Sequence, residues 1–226
     1  MKKKLKQYKG RLSPAQIAAG MNAAARNACR LAEDAETMLV AKRYATAASL
    51  AILSIEEAGK VSILRVLALA RSQPEADEAW KEYRSHTRKN VAWILPQLIA
   101  DGARKLDDLH PLYDKESEHP FILDQIKQIG FYTDCLGKAH WSVPMEIIEE
   151  PLARMLVQTA RLFARDREFT EKEIELWCQH MGPAWKRNPE WMRQAIINWY
   201  AAMQEAGLAP EGIAEINEFM EFMGSD

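Results

Sequence analysis

The chain has 226 residues, of which 48% are hydrophobic, so it can bury the core of one ordinary domain with an appendage. Its 30 basic residues nearly balance its 32 acidic ones, and the net charge of -2 excludes the overall basic field of a non-specific nucleic-acid binder. No apolar stretch reaches the roughly 20 residues that a membrane span needs. Three widely spaced cysteines argue against a disulfide framework and a zinc site. We therefore expect a cytoplasmic protein with no membrane partner.

Residues 1–12 form a basic tail, and the pattern after it predicts three helices. Ser13 with Pro14 and Gln16 starts a helix that should run to about Lys42. A second helix is expected from about Tyr44 to Arg71. Pro74 opens a third, which Pro96 should kink or split.

The second half of the chain is predicted to be helical as well, with no competing strand pattern. One helix starts at His119 and should reach about Cys135, and another follows a loop and ends near Asp166. After Phe169, further helix starts stand at Thr170, at Asn188-Pro189 and at Pro210. We predict an all-α protein: an antiparallel helical bundle at 13–168 and a C-terminal helical extension at 169–226.

Two acids interrupt the apolar second helix, at Glu56 and Glu57, with Lys60 following. A buried carboxylate needs a partner, because an unpaired charge in the interior costs several kcal/mol. In one interpretation Glu56 pairs with Lys60 four residues later and only fixes the helix. In the other, the acids serve a functional site.

A basic histidine segment follows, in which His86 is flanked by Arg84, Arg88 and Lys89. Cleaving RNA without a metal needs a proton carrier and cations near the phosphate, and this segment offers both. A solvated helix end is the alternative. Arg104 and His110 form a second, unspecific Arg/His pair. A single Glu-x-x-His, ending at His119, does not predict a metal site, because a di-iron bundle needs two.

Three stretches together resemble the abortive infection protein V (AbiV) family of the HEPN superfamily. They are the helix Ala45 to Lys60, the segment around His86, and the segment from Tyr132 and Asp134 to Trp141 and Pro144. The resemblance implies a dimeric helical bundle related to metal-independent ribonucleases. HEPN ribonucleases commonly carry an Arg followed four to six residues later by His, whereas here Arg84 and His86 are only two apart.

The resemblance implies an antiphage protein that cleaves host or phage RNA after a phage-encoded activator appears, without a cofactor. His86 would then carry the proton, and the catalytic group would also include Glu56, Glu57, Lys60 and Arg84. Arg88 and Lys89 would contact RNA, and we expect the same of Arg104 and His110, which lie outside the three matching stretches. Tyr132, Asp134 and Trp141 are expected in supporting roles. The alternative is a non-catalytic binding module that uses the tryptophan-bearing extension after Phe169. A nucleotide-binding domain that works with a nucleotidyltransferase is a third possibility.

Overall fold

The structure is a computed structural model that describes residues 6–101, 112, 114 and 117–209. Among the described residues the chain is mostly helical, with only one small two-stranded sheet, which confirms the predicted all-α class. The helices are α1 Pro14–Val40, α2 Tyr44–Ala68, α3 Gln73–Arg84, α4 His86–Lys89, a 3-10 turn Val91–Ile94, α5 Leu95–Ala100, α6 His119–Phe131, α7 Pro144–Ile147, α8 Glu150–Phe163, α9 Glu171–Ala184 and α10 Pro189–Glu205.

The helix starts follow the capping residues of the sequence. Ser13 accepts a hydrogen bond from the Gln16 backbone N–H, while the Gln16 side chain accepts one from the Ser13 N–H. Thr170 and Asn188 cap α9 and α10 through their side-chain oxygens, each of which accepts from the backbone N–H three residues later. These caps satisfy backbone donors that have no partner inside the helix, so the three predicted starts are confirmed.

Two predictions about the elements are wrong. The third helix breaks at Ser85 and again at Asn90, well before Pro96, which lies in the first turn of α5. Ser85 has extended backbone angles and caps α4 with its hydroxyl, so the break makes a new helix start. A short antiparallel hairpin, β1 Asp134–Leu136 and β2 His140–Ser142, also contradicts the expectation that no strand forms.

The core lies between α1, α2, α6 and α8. Small side chains line α2, and Ala47, Ala48 and Ala51 are fully buried, so neighbouring helices approach it closely. The hydroxyl of Ser54 is satisfied by the Ala28 carbonyl of α1 at 2.7 Å. α2 is therefore the central helix of the fold and is covered on several sides.

A second core cluster joins the predicted extension to the bundle. Phe169 and Ile174 pack in it with Met21 of α1 and Leu64 of α2. Part of the predicted tail also contacts the bundle, since the Trp80 indole donates to the Gly10 carbonyl at 2.9 Å. The division at residue 168 stays a prediction. None of the helices among the described residues combines the length and apolar character needed to cross a membrane.

Candidate active site

Glu56 is buried in the middle of α2, and three nitrogen groups surround its carboxylate. Oε2 lies 2.7 Å from Nδ1 of His86 and 3.4 Å from Nζ of Lys89, while Oε1 lies 2.5 Å from Nζ of Lys127. Only 2% of Glu56 is exposed. The acid that the sequence singled out is therefore paired with groups from α4 and α6, and its charge is compensated inside the protein.

Two glycines allow these partners to reach α2. A Cβ at Gly59 would overlap with the backbone carbonyl of Lys89, so α4 rests directly on α2 at this point. A Cβ at Gly130 would likewise overlap with the Ser49 hydroxyl, which brings α6 against α2. Glycine is required at position 59, because a side chain there would meet backbone that cannot move without shifting α4, whereas at position 130 the nearest atom belongs to the Ser49 side chain.

Lys127 of α6 lies at the centre of the Glu56 cluster, which consists of Glu56, His86, Lys89, Asp124 and Lys127. Its ammonium contacts Glu56, lies 2.7 Å from Oδ1 of Asp124, and is 3.3 Å from Nδ1 of His86. Burial disfavours the charge, but hydrogen bonds to Asp124 and Glu56 outweigh burial and raise the pKa of Lys127. Lys127 is therefore held as a cation between two carboxylates.

His86 differs from its partners because its side chain is 58% exposed. Of its two contacts at Nδ1, the one to Glu56 is the shorter, and an ionised carboxylate can only accept, so Nδ1 carries the proton. The other nitrogen, Nε2, has no hydrogen-bond partner among the described residues. In the neutral form of the ring, the nitrogen without a proton is then Nε2, on a side chain that is largely open to the solvent.

Lys89, the second lysine of the cluster, is only 7% exposed. Burial lowers the pKa of Lys89, and Glu56 opposes this effect only in part. Its ammonium points to the interior, so it supplies positive charge behind His86 instead of a donor on the surface.

The pair of Glu56 with Lys60, which was one of the two interpretations of the sequence, does not form. Lys60 instead pairs with Glu57, one turn away on α2, and its ammonium lies 5.2 Å from the centre of the Tyr83 ring. Both side chains of the pair are less than 20% exposed. The two adjacent acids therefore have different partners, because they point to different sides of the helix.

The arginines of the histidine segment are not gathered at the Glu56 cluster. Arg84 donates to the carbonyls of Tyr8 and Trp80, and it stacks on the Trp80 ring at 5.0 Å. Arg88 is exposed and lines a cavity of about 400 Å³ that also includes Thr87 and Phe121. The second predicted pair, Arg104 and His110, lies outside the described residues.

The cluster also provides groups of the kind that bind metal ions. Glu56, His86 and Asp124 each offer one ligand atom, and the three atoms lie within 4.8 Å of one another. The Lys127 ammonium contacts the same three residues and so stands where a cation would bind. A metal ion could use these three groups only after Lys127 moved away.

Comparison with known proteins decides the family. The family model HEPN_AbiV, described as AbiV, matches residues 16–165, which is well over half of the chain. The chain belongs to the AbiV family. No curated protein and no solved structure matches it. The matched AbiV region contains every residue of the Glu56 cluster and ends two residues after α8.

The hairpin lies in the third of the stretches that resemble the AbiV family, which runs from Tyr132 to Pro144. Asp134 accepts from the Cys135 N–H at 2.7 Å, and its own backbone is bound to the Ser142 hydroxyl. Tyr132 and Trp141 are 63% and 73% exposed. The sequence predicts supporting roles for these residues, and the structure gives them no contact with Glu56 or His86 among the described residues.

Sequence analysis of the AbiV region did not find Lys127 and Asp124. A signal for them was present: Lys127 shares one face of α6 with Leu123 and Gly130, at spacings of four and three residues. Leu123 is fully buried, so a lysine on that face must be buried too and needs an acid. The identity of that acid followed only from the three-dimensional structure.

Proposed function

We propose that this AbiV protein is a metal-independent endoribonuclease whose proton carrier is His86. The observation that carries the proposal is the 2.7 Å contact between Nδ1 of the exposed His86 and the buried Glu56 carboxylate. A carboxylate in this position fixes the tautomer of an imidazole and stabilises it when it becomes protonated. Such a histidine is suited to take a proton from a substrate hydroxyl.

The reaction uses the 2′-hydroxyl of RNA as the nucleophile. His86 Nε2 takes the hydroxyl proton, O2′ forms a bond to the adjacent phosphorus, and the bond from phosphorus to O5′ breaks. A proton then passes to O5′, leaving a 2′,3′-cyclic phosphate and a 5′-hydroxyl. Arg88, which is exposed, would contact the phosphate and offset the charge that develops there, while Lys89 and Lys127 hold Glu56 in place behind His86.

We propose that the working form is a homodimer. One histidine can accept the proton or donate it, but a single turnover needs both roles, and a second copy supplies a second His86. Trp141 of β2 is 73% exposed, and Met145 of α7 is 82% exposed, and a partner would remove this apolar surface from water. Sedimentation of the wild type and of Trp141→Ser tests this, since the variant should contain less dimer.

In the cell, the proposed role is defence against phage in the cytoplasm, with host or phage RNA as the substrate. A ribonuclease that is always active would kill its own host, so we propose that a phage-encoded protein activates it. The chain's membership of an abortive-infection family supports this role.

Purified protein and a short RNA with one 2′-deoxynucleotide test the reaction. The wild type should cut the all-ribose RNA, leave 2′,3′-cyclic phosphate ends, and spare the bond after the deoxynucleotide. Activity should persist in EDTA and fall about 10²–10⁴-fold in His86→Ala. Equal cleavage by both proteins, or cleavage after the deoxynucleotide, would exclude this mechanism.

A binding module remains the second candidate, and one observation favours it. Trp191 of α10 is 53% exposed and lines a cavity of about 480 Å³ together with Ala195 and His180. An exposed tryptophan beside an apolar cavity is typical of a protein contact. If Trp191→Ala abolished growth arrest while His86→Ala did not, the binding module would be the better interpretation.

A further inference from the structure

A separate small cavity of about 190 Å³ lies between α1, α2 and the segment that leads into α9. Its lining includes the rings of Phe163 and Phe169 and the side chains of Arg65, Arg165 and Arg167. Arg65 comes from α2, whereas the other four residues stand at the end of α8 and just after it. The cavity therefore lies at the junction of the AbiV region with the C-terminal helices.

The charges around this cavity do not balance. Glu173, which is 2% exposed, is the only carboxylate that the structure pairs with these arginines among the described residues. Its Oε1 lies 2.5 Å from Nη2 of Arg65 and 3.0 Å from Nη2 of Arg167. Glu173 thus pairs with two of the three guanidinium groups, and Arg165 has no carboxylate partner among the described residues, so the side chains that line the cavity carry an excess of positive charge.

Several guanidinium donors are also left over. Arg165 uses Nε to donate to the Leu162 carbonyl at 3.3 Å, and neither of its Nη atoms has a partner among the described residues. Arg167 stacks on the Phe169 ring at 4.9 Å, which fixes its plane at the cavity. Planar guanidinium groups with unused donors match the oxygens of a phosphate.

We propose that this cavity binds a phosphate group, held by Arg65, Arg165 and Arg167. The volume is below the roughly 300 Å³ at which sites for drug-sized ligands begin, so the cavity suits a single phosphate better than a whole nucleotide. The phosphate is either free or the terminal group of a larger molecule that extends into the solvent. Because it would contact α2 and the segment before α9 together, the bound anion would hold the C-terminal helices against the AbiV region.

Isothermal titration of the full-length protein with sodium phosphate, at constant ionic strength, tests the site. The expected result is one saturable site that weakens about tenfold or more in Arg165→Ala, since one hydrogen bond to a charged group contributes about 1.5 kcal/mol or more. Arg43→Ala removes an exposed arginine before α2 and serves as the matched control, with unchanged affinity. Arg167→Ala provides a second variant at an exposed position.

A parallel titration with adenosine monophosphate separates the two sources of phosphate. Tighter binding of the nucleotide indicates a terminal phosphate, and tighter binding of inorganic phosphate indicates the free ion; both results support the site. His86→Ala should bind phosphate like the wild type, so the result does not depend on the proposed ribonuclease. The proposal is overturned if neither probe gives saturable binding, or if Arg43→Ala or His86→Ala weakens it as much as Arg165→Ala.

Discussion

Oε2 of Glu56 lies 2.7 Å from Nδ1 of His86, although the two side chains differ greatly in exposure, at 3% and 58%. The carboxylate belongs to the core, and the ring belongs to the surface. A single hydrogen bond therefore connects the central helix α2 to a group that the solvent can reach. The stability of the fold and the proposed chemistry therefore depend on the same carboxylate.

Replacing that carboxylate should cost stability. Glu56→Gln leaves Lys127 and Lys89 buried with too little negative charge, and breaking a buried ion pair from one side typically costs about 3–5 kcal/mol. Urea unfolding measures the loss. Glu57→Gln is the matched control, because, among the described residues, Glu57 forms an ion pair with Lys60 only, three residues away on the same helix, so its replacement should cost less than that of Glu56, which has three partners. Equal losses in the two variants would contradict the central position of Glu56.

The two lysines of the cluster should respond differently to pH. A raised pKa means that the folded protein binds the Lys127 proton more tightly than the unfolded chain does. This stabilisation is complete below the ordinary lysine value of about 10.4 and is lost as pH rises through the folded pKa. Lys127→Met should therefore lose the most stability near neutral pH, and the difference from wild type should shrink in strong alkali.

Lys89→Met is the comparison for that experiment. Burial lowers the pKa of Lys89, so the folded protein binds its proton less tightly than the unfolded chain. Removing it should cost less at neutral pH than removing Lys127. Urea unfolding at several pH values measures both, and a larger loss for Lys89→Met at neutral pH would show that Lys127 is not the principal partner of Glu56.

Removing Lys127 should also create a metal site. Lys127→Ala leaves Glu56, His86 and Asp124 with ligand atoms within 4.8 Å of one another and takes away the ammonium that contacts them. Three such ligands and one water molecule would give the four-coordinate site that zinc prefers. Titration calorimetry should show one new zinc site in Lys127→Ala. The double variant with His86→Ala should lack it, and a wild type that binds zinc equally well would contradict the role given to Lys127.

Much of the fold could be predicted from local sequence. Ser13, Thr170 and Asn188 mark helix starts because capping depends on residues only three positions apart. The break at Ser85 was missed because the apolar spacing continues through it, and the capping hydroxyl was not recognised. The hairpin was missed because three-residue strands are too short to show an alternating pattern.

The site could be predicted only in part. Glu56 and His86 attract attention because an acid in an apolar helix and a histidine among basic residues are unusual on their own. Lys127 is 71 positions after Glu56, and nothing local pairs them. The choice between Glu56 and Glu57 as partner of Lys60 depends on small rotations about the helix axis, which spacing alone does not resolve.

Gly59 should be necessary for the site to assemble. Gly59→Ala would place a methyl group against the Lys89 carbonyl, so α4 must move and carry His86 away from Glu56. We expect lower stability in urea and loss of ribonuclease activity. Gly182→Ala is the control, because nothing lies within 4 Å of a Cβ there and alanine favours a helix by up to about 1 kcal/mol. Full activity in Gly59→Ala would show that close contact of α2 and α4 is not needed.

The most direct test of the central claim is the integrity of cellular RNA after induced expression of the wild type and of His86→Ala at matched protein levels. His86 is an exposed residue, so the variant should fold normally. We predict growth arrest with fragmented RNA for the wild type, and intact RNA with continued growth for His86→Ala. Equal growth arrest by both proteins, with intact RNA in both, would contradict the assignment of His86 as the catalytic residue.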